Sequence, residues 1–419
     1  MTLEDVEVFR GRVRKWMAAN LPRKHAAQSI ARHEVPSEPQ QQRALQLQRI
    51  LFDGGFAGVC FPRDYGGLGL TTEHQHAFNE EGAGYELPEA LNIPTMTIIA
   101  PTLLEFGTPE QLRRWIPPIL RGDAVWVQFL SEPTGGSDLA GLLTRADRSD
   151  DTFIVNGSKV WSTLAYAADY ALCLARSNWD VPKHGGLTML AMKVHQPGVT
   201  IRRIRNVSGS TGEFCEEFFD DVPVPADDVL GEVDHGWTVA SRLLFHERQA
   251  VGGASPFAVG SGANETSSEN RLDLTLLAAS LDRLGSDYVR QMVAEAHALD
   301  TVSSQLVQRV DVGMRTGHFP PIASSLPRLM AARVSVRSAD IGLEIAGPSA
   351  GAWTEQQRLG GEYGSAYLAR QTVELAGGST EMQRNIISER LLGMPREFAP
   401  DRNIPFSEVK KSQSQRSAS

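Results

Sequence analysis

The hydrophobic period changes twice along the chain, and this constrains the fold more than any single motif. Up to about residue 124 apolar residues recur at three- and four-residue spacing, as in Val6, Phe9, Val13 and Trp16. That period predicts helices that bury one face. Pro22 ends the first run, and Gly54-Gly55 ends a second over about 38–53. Thr108-Pro109-Glu110-Gln111 predicts another start: Thr108 caps, Pro109 suits the first turn and Gln111 reaches back to the cap. Near Val125 the pattern becomes β-like. Asp151 to Trp161 predicts two strands joined by a turn at Asn156-Gly157. β-rich runs follow at about 168–176, 186–194 and 215–230. Together they predict a β domain of roughly 100 residues. From about 234 the helical period returns and holds to about 393, with one Gly/Ser/Asn-rich break, Gly252 to Arg271, expected to be a loop. The predicted divisions are 1–124 helical, 125–233 β, 234–398 helical and 399–419 a disordered polar tail.

The chain has 419 residues, 41% hydrophobic and 22% charged, enough apolar content for several cores. Its net charge of −9 argues against nucleic acid as a partner, since phosphate backbones need a basic footprint. Cys60, Cys173 and Cys215 lie far apart, which fits a reducing compartment. The N-terminus has no apolar signal core. The longest uncharged apolar stretch, Leu91 to Leu104, is interrupted by Pro94 and Pro101 and is too short to cross a bilayer. The expectation is a cytoplasmic protein with no membrane partner.

Phosphate-loop, nucleophile-elbow and HExxH signatures are absent, as is any clustered Cys/His metal site. Gly347 to Gly351 does not follow a strand in a βαβ unit, so a Rossmann site is not expected. Two segments stand out. In the first, Trp126 to Asp138, a strand runs into Ser131-Glu-Pro-Thr-Gly-Gly-Ser-Asp138. Its hydroxyls and backbone amides can hold a heterocycle edge and a pyrophosphate, although an ordinary strand-end turn has the same composition. In the second, Trp161-Ser162-Thr163, the tryptophan can cover a flat ring and Thr163 can hydrogen-bond its edge; alone, Trp161 reads more readily as core than as a ring-stacking residue.

PRDYGGLGL (62–70), SEPTGGSD, NGSKVWST, VPADDVLG, Glu247-Arg248 on a long helix and GGSTEMQRNIISERLLGMPRE occur in an order that resembles the acyl-CoA dehydrogenase family, over about residues 3–398. The resemblance implies an α+β multidomain fold: an N-terminal all-α domain, a central β-barrel or sandwich and a C-terminal four-helix bundle. It implies FAD and the oxidation of an acyl-CoA thioester to trans-2-enoyl-CoA, with electrons passed to an electron-transfer flavoprotein. By the same resemblance Gln128, Phe129, Leu130, Ser131, Gly136 and Ser137 line the flavin, and Ser137 also approaches the substrate. Trp161, Ser162 and Thr163 form the other flavin-contacting strand. Arg248 and Gly378 would hold the CoA thioester, and Ser379, Thr380 and Glu381 would continue the loop over the flavin.

Members of the family keep the catalytic base at one of two places. One corresponds here to Gly377, which has no side chain; the other, used by isovaleryl-type members, corresponds to Glu247. Trp237, Ala240, Leu244, Glu247 and Val251 share a helical stripe, and Leu243, Leu244, Ala250 and Val251 surround Glu247 at i±3 and i±4. A carboxylate there is expected to be unpaired and to have a raised pKa, which suits a base that removes the α proton while a hydride leaves Cβ for flavin N5. A structural bridge to a basic group on another helix is the competing reading. Two departures concern the half-site that a family member lends to its neighbour's FAD. The break Gly252–Arg271 lacks an Arg-x-x-Phe-Gly motif, and Glu344 and Pro348 stand where Gln and Gly are usual. The resemblance therefore implies one half of an α2β2 heterotetramer completed by a homologous subunit, like actinobacterial enzymes that shorten sterol side chains. A non-catalytic scaffold subunit and an acyl-CoA oxidase stay open as alternatives.

Overall fold

The computed structural model describes residues 3–24, 38–207, 211–251, 255–260, 273–353 and 358–409. The N-terminal helices are α1 (Val6–Asn20), α2 (Glu38–Asp53), α3 (Thr72–Gly82), α4 (Ala100–Phe106) and α5 (Pro109–Arg121). α1 buries Phe9, Val13 and Met17. They pack with Leu47, Leu51 and Phe78 into one core. α5 starts with a reciprocal capping box between Thr108 and Gln111 and ends at Gly122 in the left-handed conformation.

The sheet contains β1 (Trp126–Phe129), β2 (Arg145–Ser149), β3 (Thr152–Thr163), β4 (Tyr170–Arg176), β5 (Leu187–Lys193), β6 (Val199–Arg205), β7 (Thr211–Pro225) and β8 (Val229–Leu230). Its order is β6-β7-β3-β2-β4-β5-β8, with β1 beside β4. The expected closed barrel or sandwich is thus an open sheet: β6 and the two-residue β8 lie at opposite ends of the order, and no pairing among the described residues joins them. Side chains alternate between the two faces. Trp126, Leu172, Leu174 and Met189 face Trp115, Ile116 and Leu103 of the helices. Val127, Phe129, Cys173 and Leu190 face Phe153, Val155 and Val222 on the other side.

The turn expected at Asn156-Gly157 is not there. β2 and β3 turn six residues earlier, at Asp150-Asp151, with Ser149 opposite Thr152 and Asp150 at φ 52°. Gly157 instead marks a bulge within β3, where the register against β7 shifts. Its φ is 145°, and a Cβ there would lie 2.7 Å from Thr144 Cα, so the glycine answers to crowding and not to a hairpin. The sequence reading also passed over β6. Arg202, Arg203 and Arg205 break its apolar alternation, and Arg203 lies 3.5 Å over the Tyr166 ring. Charge on an edge strand is a common guard against further pairing.

The C-terminal region contains α6 (Gly236–Val251), α7 (Leu274–Ser280), α8 (Asp287–Arg315), α9 (Ser325–Ala346), α10 (Arg358–Ala369), α11 (Thr372–Leu375) and α12 (Thr380–Ile386). α6 is the hinge piece between regions. Its Val239, Ala240 and Leu243 join the core shared by the sheet and the N-terminal helices. Most of the expected loop Gly252–Arg271 lies outside the described residues.

The tail departs from expectation as far as Val409. Phe406 and Val409 are buried. The Phe406 and Ser407 amides donate to the Val181 and Trp179 carbonyls, each at 2.9 Å. The Phe406 ring lies 3.8 Å from the Arg176 guanidinium. One aromatic anchor in a polar segment is enough to seat it, which composition alone does not reveal. Residues 410–419 are outside the described residues.

Candidate functional site

The site is built where β1, α6 and the loop between α11 and α12 meet. Along β1, Trp126, Val127 and Phe129 are buried, while Gln128 is only half-buried. Gln128 Nε2 donates to Glu247 Oε2 at 2.9 Å. Among the described side chains of α6 the buried ones are Val239, Ala240, Leu243 and His246, so the apolar stripe is rotated by one position from the one expected. Glu247 sits on its edge, half-buried. Its helix is fixed from the other side by Glu105, which takes both Arg242 donors at 2.7 Å and His246 Nε2 at 2.9 Å.

Some of the Glu247 surface is open, yet protein crowds the carboxylate enough that burial pushes its pKa up. Gln128, the Arg248 and Arg328 charges and the Gly377 amide oppose that rise without cancelling it. Glu247 is therefore not the unpaired group expected from its helical neighbours. It keeps one side-chain donor, one backbone donor and two cations at a distance, and remains more basic than an ordinary glutamate. Gly377, the alternative base position implied by the resemblance, has no carboxylate to offer, and its amide lowers the Glu247 pKa. Gly377 and Gly378 have φ of 69° and 85°, in the left-handed region. Gln383, itself buried, donates to the Gly377 and Gly378 carbonyls at 3.0 and 3.3 Å.

The loop after β1 is fixed by a buried ion pair. Lys159 Nζ meets Glu132 Oε1 at 3.1 Å and the Leu130 carbonyl at 2.9 Å. Glu132 also accepts the Leu143 and Thr144 amides at 2.7 and 2.8 Å. Burial raises the Glu132 pKa, but the Lys159 charge and these donors outweigh it, and the net shift is downward. The Val160 amide then bonds the Ser131 carbonyl at 2.9 Å. Leu130 is buried, Ser131 half-buried, and Gly136 and Ser137 are exposed on the loop.

Trp161 sits in a second bulge of β3, between Val160 and Ser162, with φ 68°. A tryptophan in the left-handed region is strained, and such strain gathers at functional sites. The residue is 58% exposed, which removes the core-tryptophan reading, and its ring leans on Phe214 with centroids 6.0 Å apart. Ser162 points the other way: it is buried, and its Oγ donates to Glu217 Oε2 at 3.0 Å. Phe129 likewise turns into the sheet core. The side chains of Phe129 and Ser162 thus face away from any ligand beside Trp161, leaving only their backbone to line it. Thr163 is half-buried. Ser379 caps α12 by accepting the Met382 amide, and Thr380 bonds Glu381 at 3.1 Å, so these residues bond among themselves. Arg248 is half-buried, its Nε has no partner, and burial lowers its pKa.

A flavin fits these residues. An exposed strained indole, a hydroxyl-bearing loop on a rigid ion pair and the unpartnered buried Gln128 Oε1 offer one stacking face and free polar atoms. Sequence reasoning missed Glu132, Lys159, Glu217, Arg328 and Gln383. For Glu217 a signal existed: Cys215, Glu217 and Phe219 share the inward face of one strand.

Comparison with known proteins places all three regions. The chain matches the acyl-CoA dehydrogenase N-terminal domain over residues 4–123, the middle domain over 128–222 and the C-terminal domain over 234–392. It is 34% identical to acyl-CoA dehydrogenase IpdE1 of Mycobacterium tuberculosis, over 94% of this chain and 99% of that protein. The IpdE1 of Mycolicibacterium smegmatis is 32% identical, with the same coverage of 94% and 99%. Among solved structures the Tcur3481-Tcur3483 steroid ACAD superposes with a TM-score of 0.75 at 25% identity, covering 95% of this chain and 100% of that one.

Proposed function

The chain belongs to the acyl-CoA dehydrogenase family and is an FAD-dependent oxidoreductase, and from that premise we propose that Glu247 is its catalytic base. The observation that carries this reading is a half-buried carboxylate with raised pKa, held by Gln128 and the Gly377 amide at the one place where two family base positions meet. The bound flavin supplies the hydride acceptor. The protein's own residues do the rest. Glu247 takes the α proton of the acyl thioester, and its enclosure by protein raises its affinity for that proton. Gln128 fixes the carboxylate orientation, and Arg248 offers a charged donor near the thioester end. Trp161 and the Ser131–Ser137 loop hold the flavin, and the Glu132–Lys159 pair keeps that loop in shape.

The substrate class is an acyl-CoA thioester, and the electrons leave to an electron-transfer flavoprotein. The structural kinship with a steroid ACAD at 25% identity favours an acyl chain borne on a steroid-derived skeleton. The chain works with a homologous subunit as an α2β2 heterotetramer. What supports this is the surface where a lent half-site would lie: a cleft of about 660 Å³ is lined by Asp340, Glu344, Gly347, Gly351 and Arg370. Arg370 is already paired with Asp340 at 2.9 Å, and Glu344 accepts from Tyr288, so carboxylates face a place where a pyrophosphate would need donors. Among the described residues no helix is long and apolar enough to cross a membrane.

Glu247→Gln, purified with its partner subunit and mixed anaerobically with steroid and straight-chain acyl-CoAs, tests the base. FAD should stay bound while flavin bleaching slows by about 10²- to 10⁴-fold. Bleaching at the unaltered rate would place the base elsewhere. Native mass spectrometry tests the assembly: a fully active homotetramer with one FAD per chain would overturn the heteromeric reading.

A further inference from the structure

Resting on Glu247 as the base, we propose that Arg328 is its positioning residue: from α9 it holds the loop after α11 so that the Gly377 amide meets the Glu247 carboxylate. Arg328 is 2% exposed, an unusual setting for a guanidinium. Its Nη2 donates to the Val373 carbonyl at 2.5 Å and to the Ala376 carbonyl. These are carbonyls at the end of the four-residue helix Thr372–Leu375, where a helix leaves acceptors unsatisfied and favours a cation. The next two residues are the left-handed glycines, and Gln383 fastens their carbonyls from the far side. The loop is thus clamped between α9 and α12, and the Gly377 amide within it acts on Glu247.

A neutral donor would clamp the loop at less desolvation cost, so the buried charge asks for a second reason. Its electrostatic partner is Glu247: each group acts on the other. The groups facing Glu247 are Gln128 from β1, Arg248 from its own helix, the Gly377 amide and Arg328; Arg390 acts on Arg248 in turn. Arg248 is positioned beside the substrate end, which leaves Arg328 as the cation that joins loop geometry to basicity. Geometry requires the two carbonyl bonds, and basicity requires the charge.

Two substitutions separate these roles. Arg328→Lys keeps the charge, but its shorter side chain cannot bring a nitrogen to the point from which Nη2 donates to both carbonyls. It should lower kcat by about 10- to 100-fold through misplacement of the base and leave the acid limb of the kcat–pH profile unmoved. Arg328→Gln keeps a carbonyl donor and removes the charge; its acid limb should move to higher pH, because a cation that favoured ionised Glu247 is gone. A readout independent of turnover is amide hydrogen exchange over 373–383, expected to quicken about tenfold or more in Arg328→Lys, with bound FAD counted for every variant. If both variants keep the parental acid limb and parental exchange, the proposal is overturned. Glu247→Gln is measured alongside. If that variant still bleaches the flavin, the base assignment itself fails; if it is inert while Arg328 variants behave as the parent, only the positioning role falls.

Discussion

Glu132, in the loop after β1, and Glu247, on α6, are both drawn out of water, yet their carboxylates shift in opposite directions. The difference lies in what meets them. Glu132 has a buried lysine at 3.1 Å and two backbone amides within 2.8 Å, so its charge is more than compensated. Glu247 has one carboxamide at 2.9 Å, one backbone amide and arginines acting at longer range. A fully satisfied carboxylate is a strut, because moving a proton onto it breaks several bonds. A partly satisfied one has a proton affinity left to use. With Glu247 as the proposed base, the sheet side of the site is built to stay put and the helix side to react.

The same substitution at the two positions should therefore fail in different ways. Glu247→Gln is expected to show the largest effect, the loss of orders of magnitude in flavin bleaching at parental thermal stability. Glu132→Gln should leave Lys159 buried without its counter-ion and destabilise the fold by about 3–5 kcal/mol, read as a fall in denaturation midpoint. Parental stability in Glu132→Gln would show that the strut reading is wrong. A third carboxylate sharpens the contrast. Burial pushes Glu217 up to about 8, against the opposing bond from Ser162. An acid whose folded pKa is raised favours the folded state while protonated in it. Stability should thus decline as pH rises from the ordinary glutamate range to about 8, and Glu217→Gln should lack that decline. Equal slopes in the two proteins, by denaturation at stepped pH, would remove Glu217 from the account. The smallest effect is expected at Trp161: Trp161→Ala should weaken FAD retention by on the order of 1 kcal/mol, measured by dialysis against free flavin. Unchanged retention would leave its strained backbone without the stacking role.

Much of this was legible because it depends on local rules. The capping box at Thr108 and Gln111 needs only four residues, and the period of α1 needs only its own apolar positions. The Asn156-Gly157 pair misled because a glycine serves equally in a turn or under a crowding neighbour, and only Thr144, brought in by another strand, distinguishes them. The tail misled in the opposite sense. Its composition is polar, but Phe406 finds Arg176 and Trp179, residues more than two hundred positions earlier. Glu247 was read as part of the apolar stripe of its helix and lies instead at the edge of the buried one; its partners Gln128 and Arg328 come from a strand and a distant helix, and helical spacing cannot report on either.

The sequence by itself determined the order of helical, β and helical regions, the family and the residue types available for the chemistry, since each rests on patterns read along a few neighbours. The tertiary structure decided which carboxylate is fully compensated and which keeps a raised proton affinity. It opened the sheet, turned Ser162 and Phe129 away from the ligand face, exposed Trp161 and brought the Gly377 amide to Glu247. Proton affinity and side-chain direction are set by the groups packed around a residue, and at this site those come from four separate stretches of the chain.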